Sequence, residues 1–302
     1  MKVAAAFATV YLAWGSTYLA IRYAIETLPP LLMAGVRHLV AGAILYGVAR
    51  ALGAPRPSPR HLLPAAAIGA LLLVGGNGGT VLAERHLASG FAALLAASTP
   101  LWIAILAGRW SARVFAGVAI GLVGVALLVR PGTAGVHGPS VAILLGGTVA
   151  FATGSLYARR ATLPESTGVS VGLQMLAGGL LLTLLGAATG EPARVAVVST
   201  RSVAALAYLA VVGSILGYTA FAWLIRVRPA NQVATYAYVN PAVAVVLGWA
   251  LAGEPLHASM LFPAALIVVS VILVLSQKQE APCDSKPVLC TPVSRVPVSA
   301  AR

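Results

Sequence analysis

The sequence predicts an all-α integral membrane protein, with ten transmembrane helices arranged as two inverted five-helix repeats. Three observations carry that prediction. First, 59% of the 302 residues are apolar and only 9% are charged, whereas soluble domains carry roughly 25% charged residues; mean hydropathy is +0.92. Second, apolar runs of the length a helix needs to cross the hydrocarbon core, about 20 residues, recur along the chain. Third, short polar clusters inside those runs recur once, in the same order, in the second half.

Runs bounded by charge, proline or glycine clusters give ten spans, at 3–25, 30–52, 62–83, 88–108, 112–130, 139–159, 167–190, 202–225, 229–252 and 257–276. The first, Val3 to Ile21, is long enough to span and is followed by others like it, so it reads as a membrane helix rather than a signal peptide. Between spans two and three, Ala54-Pro55-Arg56-Pro57-Ser58-Pro59-Arg60 is a stiff basic linker whose prolines stop the helix. Pro131-Gly132 to Gly138-Pro139 joins the halves. The expected units are therefore 1–131, 132–276 and a polar tail, 277–302, expected to be disordered and cytoplasmic.

Orientation follows from Lys and Arg. With the N-terminus inside, Arg22, Arg85, Arg130, Arg194 and Arg201 fall outside, Arg37 lies within a span, and all the other basic residues fall inside. That excess matches the positive-inside rule. The expectation is a multi-pass protein of the cell inner membrane with both termini cytoplasmic. The net charge of +13 is dispersed between apolar runs, without the basic stripe that nucleic-acid binding requires. Cys283 and Cys290 lie in the tail without metal-ligand spacing. No phosphate-binding loop, zinc motif or catalytic triad is present, so neither cofactor, metal nor catalytic residues are expected.

The repeat begins with Gly15-Ser16-Thr17-Tyr18 in span one, echoed by Gly154-Ser155-Leu156-Tyr157 in span six. Ala34-Gly35 through Ala41-Gly42 in span two aligns with Val171-Gly172 through Gly178-Gly179 in span seven, pairing Arg37 with Gln174. Gly75-x3-Gly79 aligns with Gly213-x3-Gly217, and Ser98-Thr99-Pro100-Leu101 with Val239-Asn240-Pro241-Ala242. Five spans per unit is an odd number, so the second copy enters the membrane from the opposite side. In transporters built this way the site commonly lies near mid-membrane between the copies.

On these residues the chain resembles the drug/metabolite transporter superfamily, in its EamA-type ten-helix branch. The likeness rests on Trp14-Gly15-Ser16-Thr17-Tyr18, Ala34-Gly35-Val36-Arg37, Thr99-Pro100, Asn240-Pro241 and Gly253-Glu254-Pro255, and covers about residues 3–276. It departs at Gly108-Arg109, where the family pattern places an acid. The resemblance implies export of amino acids, other metabolites or drugs from the cytosol.

The candidate binding residues are polar or aromatic groups set inside spans. Arg37 is costly in lipid, about 2.5–3.5 kcal/mol on insertion scales. It either pairs with a substrate carboxylate or serves helix ends and headgroups. Its neighbour His38 reads as a packed core histidine. Asn77 sits among four glycines, which either allow close packing or loosen the helix. Ser16, Thr17, Gln174 and Asn240 join it. Trp14, Tyr18, Trp102, Tyr157, Tyr218, Tyr236 and Tyr238 lie deep enough to wall a cavity. Pro100 and Pro241 each remove a helical hydrogen bond and are expected hinges.

No carboxylate lies at the centre of a span, so the residues do not point to proton coupling. Glu84, at the outer end of span three beside Arg85 and His86, is expected to form a surface ion pair. The expected function is alternating-access export of small metabolites, amino acids or amphipathic drugs, by a monomer or homodimer. An uptake or exchange carrier, or an intramembrane enzyme or sensor, is the alternative.

Overall fold

The computed structural model describes residues 2–108, 111–129, 137–195, 197–228, 230–255 and 257–275. The predicted tail with its two cysteines, and Arg109, lie outside the described residues. Ten apolar helices stand close to the predicted spans: α1 Lys2–Ala24, α2 Pro30–Ala51, α3 Pro59–Ala83, α4 Ser89–Ala107, α5 Ala112–Leu128, α6 Gly138–Ala158, α7 Thr167–Ala188, α8 Thr200–Val227, α9 Tyr236–Ala252 and α10 Ala258–Val274. A single turn, Ala230–Val233, precedes α9.

Helix starts are set by the few polar residues at the ends of the runs. Ser111, Ser166 and Ser199 accept backbone N–H bonds at the starts of α5, α7 and α8. At α3, the Ser58 backbone N–H donates to His61 Nδ1 at 3.2 Å, pairing the two residues. That pair draws the helix start back to Pro59, ahead of the predicted residue 62.

The packing repeats under exchange of the halves. α2 lies against α7, α4 against α9, and α5 against α10. The contacts α1·α9, α1·α8 and α2·α8 have their counterparts in α6·α4, α6·α3 and α7·α3. The α2·α7 contact shows why the glycine pattern is there. A Cβ on Gly42 would stand 2.9 Å from the Leu176 nitrogen, and one on Gly179 would stand 2.8 Å from the Leu39 nitrogen. The two backbones touch, as small residues allow in membrane bundles.

Two irregularities recur in both halves. Residues Ala70–Gly78 of α3 and Leu209–Tyr218 of α8 are wound as wide π turns, a rare form that collects at functional sites. They contain the paired glycine clusters, whose low helix propensity makes the widened winding less costly. α4 is broken at 97–98, and the chain turns again at 234–235 just before α9. Outside, large apolar side chains such as Phe115, Leu184, Trp249 and Phe262 are exposed, the surface that lipid covers in a membrane protein.

Candidate functional site: a central cavity between the halves

The two π segments face each other across a cavity of about 110 Å³ lined from both halves. Its floor is aromatic. The Trp14 ring meets Phe151 of α6 edge-on at 6.0 Å, Phe221 of α8 at 4.8 Å and Tyr236 of α9 edge-on at 5.3 Å. Its indole N–H donates to the Gly213 carbonyl at 3.2 Å. Gly213 must stay small, since a Cβ there would lie 2.7 Å from Thr17 Cγ2 and 2.8 Å from Arg37 Nη2.

The polar wall is built around Arg37, which is 4% exposed. Its Nε donates to Ser214 Oγ at 2.7 Å, so the α8 π segment aims the guanidinium. Its Nη1 is buried without a partner, and so is Oδ1 of Asn77. Both residues line the same cavity, which therefore offers one unused cationic donor and one unused acceptor. A buried donor left unsatisfied costs about 1–3 kcal/mol, more when charged, so these groups are poised for a ligand. His38 is buried beside them and bonds the Ala34 carbonyl at 2.7 Å through Nδ1.

The prolines act differently in the two halves. Pro100 follows the break in α4, and Thr99 Oγ1 donates at 2.7 Å to the Ala96 carbonyl that the proline cannot satisfy. Pro241 stays inside α9. There the amide nitrogen of Asn240, in the orientation that satisfies it, reaches the carbonyls of Tyr11 at 3.2 Å and Tyr236 at 3.3 Å. That contact ties α9 to α1 across the halves.

The two ends of the bundle are closed by different chemistry. At one end, which carries Glu26, Glu84, Glu191 and Glu254, carboxylates from the second half cap helices of the first. Glu191 accepts from the N–H groups of Leu31 at 3.2 Å and Leu32 at 2.8 Å, at the start of α2. Glu254 accepts from Ser89 at 2.9 Å and Gly90 at 3.2 Å, at the start of α4, and pairs with Arg22 at 3.4 Å. Helix N-termini favour such anions. Glu26 pairs with Arg201 at 3.5 Å, and that guanidinium stacks 3.6 Å over the Tyr23 ring. At the opposite, basic end a second cavity of about 320 Å³ is lined by Arg159, Gln174, Tyr218 and Arg226. Tyr218 and Leu72 line both cavities. The Tyr218 hydroxyl donates to Gln174 Oε1 at 3.0 Å, making a partition between them.

A family model described as the EamA-like transporter family matches residues 1–130 and 138–276. The chain belongs to that family. It is 39% identical over 286 residues to the uncharacterized inner membrane transporter YedA of Escherichia coli K12, covering 93% of this chain and 92% of the relative. It is 30% identical over 291 residues to a probable terminal-alkyne amino-acid exporter of Streptantibioticus cattleyicolor, covering 89% and 93%. A crystal structure of 20% identity superposes with a TM-score of 0.66 over 90% of this chain and 95% of the other, a likeness of fold. This chain is thus a multi-pass membrane transporter of the EamA-like family.

Within this EamA-like protein, the structure gathers Trp14, Thr17, Tyr18, Arg37, Asn77, Tyr218, Tyr236 and Asn240 around the central cavity. It does not bring Ser16, Trp102, Tyr157 or Tyr238 there. Ser16 turns to the Tyr208 hydroxyl at 2.6 Å and to the Leu12 carbonyl. Tyr157 is 39% exposed: α6 ends one residue later, whereas α1 continues well past the equivalent Tyr18. Gln174 lines the second cavity. Arg37 reaches neither helix ends nor headgroups. Sequence reasoning missed Phe151 and Phe221, which lack the polar handle it searched for, and Ser214, whose signal was its place beside Gly213 in the repeated glycine cluster. The surface ion pair expected for Glu84 is incorrect. Its side chain is 2% exposed with both oxygens unpartnered, because the last turn of α3 packs against α6 and α2.

Proposed function

We propose that this transporter exports small zwitterionic metabolites, amino acids foremost, through alternating access to the central cavity. The observation that carries this reading is the buried Arg37 guanidinium, with Nη1 unpartnered, facing a cavity that also presents the free Asn77 Oδ1. A carboxylate suits the first and an ammonium suits the second, while the Trp14 cluster accepts an apolar side chain. The cavity of about 110 Å³ is well under the roughly 300 Å³ lower bound for drug-sized ligands. That favours small metabolites over amphipathic drugs. The likeness to the probable terminal-alkyne amino-acid exporter of Streptantibioticus cattleyicolor supports the same substrate class.

The positive-inside rule assigns the acidic end to the outside, with both termini cytoplasmic in the inner membrane. The carboxylate caps then close the outer face. The cavity's ionisable lining of Arg37, His38 and tyrosines suits binding better than the acid–base chemistry of an intramembrane enzyme. The test is exchange of labelled amino acids from preloaded proteoliposomes. Arg37→Gln is expected to cut saturable exchange about 10- to 100-fold, the loss of one charge-assisted hydrogen-bonded contact. Undiminished exchange by that variant, in protein that still folds, would remove Arg37 from the substrate site.

A further inference from the structure

Glu84 is the most buried acid of the described residues, at 2% exposed, and neither of its oxygens has a hydrogen-bond donor. Its counterparts at the same end are buried too, but Glu191 and Glu254 each accept two backbone N–H bonds. A buried carboxylate without donors is far costlier than the neutral acid, so the group holds its proton in this closed conformation. Its position suggests why such a group is kept. Thr80, one helical turn before Glu84, lines the central cavity, as does Tyr18. Arg22 and Glu254 are the charges that act on it, and it acts in turn on Tyr18. The Arg22 side chain is 42% exposed. The acid therefore follows a cavity-lining turn of α3 and is coupled to a partly exposed ion pair at the acidic end.

The remaining ionisable neighbours do not neutralise it. Arg85 and His86 follow it in the chain. His86 stacks on His137, at the start of α6, with ring centroids 4.4 Å apart, while α2 places Arg37 and His38 on the cavity. Helices α4 and α7 carry no ionisable side chain.

We propose that Glu84 carries a proton inward for each substrate exported, making this protein a proton-coupled antiporter. The proposal rests on the export reading above. When the acidic end opens, the Glu84 carboxylate takes a proton from the outer water and its O–H bond forms. The end closes over the neutral acid, which is the state described here. Once substrate binds from the cytosolic side, the O–H bond breaks and the proton leaves through cavity water toward the cytosol. The carboxylate left behind is buried and unpaired, which favours reopening of the acidic end with substrate aboard. One proton enters and one substrate leaves, with no other reactant.

The test uses the full-length protein in proteoliposomes that enclose a pH-sensitive dye. In the wild type, amino-acid efflux should acidify the cytosolic-side compartment, and an imposed proton gradient should drive transport uphill. Glu84→Gln, which mimics the neutral acid in size and shape, should abolish both while still binding substrate from the cytosolic side. An infrared band of a protonated carboxyl should disappear in the same variant. Gradient-driven transport that persists in Glu84→Gln overturns the proposal, as does wild-type net efflux with no proton movement. Wild-type protein that exchanges no amino acid defeats the export reading instead. Where Glu84→Gln fails to fold, Glu84→Asp decides: a shifted pH profile of uphill transport supports the proton role, and an unchanged profile overturns it.

Discussion

The acidic and basic ends of this transporter close in different ways. The acidic end is joined across the two halves by full carboxylates placed on helix N-termini, which are buried and geometrically determined. At the basic end, Arg226 donates to the carbonyls of Glu165 at 2.9 Å and Pro164 at 3.2 Å, all within the second half. That contact is half exposed and crosses no boundary between halves. The difference teaches that a pseudo-symmetric scaffold need not tie its two ends together by the same contacts. Where an ionic cap is buried and spans the two repeats, it holds the halves together. Where it is wet and local, a larger cavity stands beside it.

Removing Glu254 should break this contrast most severely. Glu254→Ala strips two backbone amides of their charged acceptor and leaves the partly exposed Arg22 unpaired, a cost of about 2–4 kcal/mol of which the solvent-screened ion pair supplies about 1 kcal/mol or less. Denaturant unfolding in detergent should show that loss. A cysteine at Thr80 should also become more reactive from the acidic side as the end loosens. Unchanged stability would mean that the carboxylate cap contributes nothing to closure.

Glu191→Ala should cost less, about 1.5–3 kcal/mol, since it loses charged hydrogen bonds to Leu31 and Leu32 without stranding a cation. The same unfolding measurement ranks it against Glu254→Ala, and an equal or larger cost would reverse the order proposed here. Arg226→Ala should change stability by less than about 1 kcal/mol, because a half-exposed cation competes with water. Its expected signature is a faster opening of the basic end, read as a raised exchange rate. Last, a cysteine at Ser58 should label only from the cytosolic side, with no effect on stability. Labelling from outside would exchange the names of the two ends.

Much of this was legible in the sequence because the membrane imposes length and polarity rules. The ten helices emerge close to their predicted bounds since a span must be apolar for about 20 residues and end at polar caps such as Ser111 or Ser166. The repeat was legible as well, because Gly35, Gly42, Gly172 and Gly179 are required where α2 and α7 backbones touch. Arg37 and Trp14 stood out because each interrupts lipid-compatible sequence. The sequence alone therefore determined the class, the spans, the pairing of the halves and several residues of the cavity.

Only the tertiary structure decided which of two similar residues faces the cavity. Tyr18 and Tyr157 occupy matching places in the repeat, yet Tyr18 lines the cavity while Tyr157, one residue from the end of α6, stands at the surface. Likewise Glu84, Glu191 and Glu254 read alike as acids at span ends. Contact with helix N-termini satisfies two of them, while packing against α6 and α2 buries the third unpaired. A side chain's solvation depends on what the other half of the chain brings to it, and that is set by long-range packing rather than by its neighbours in sequence.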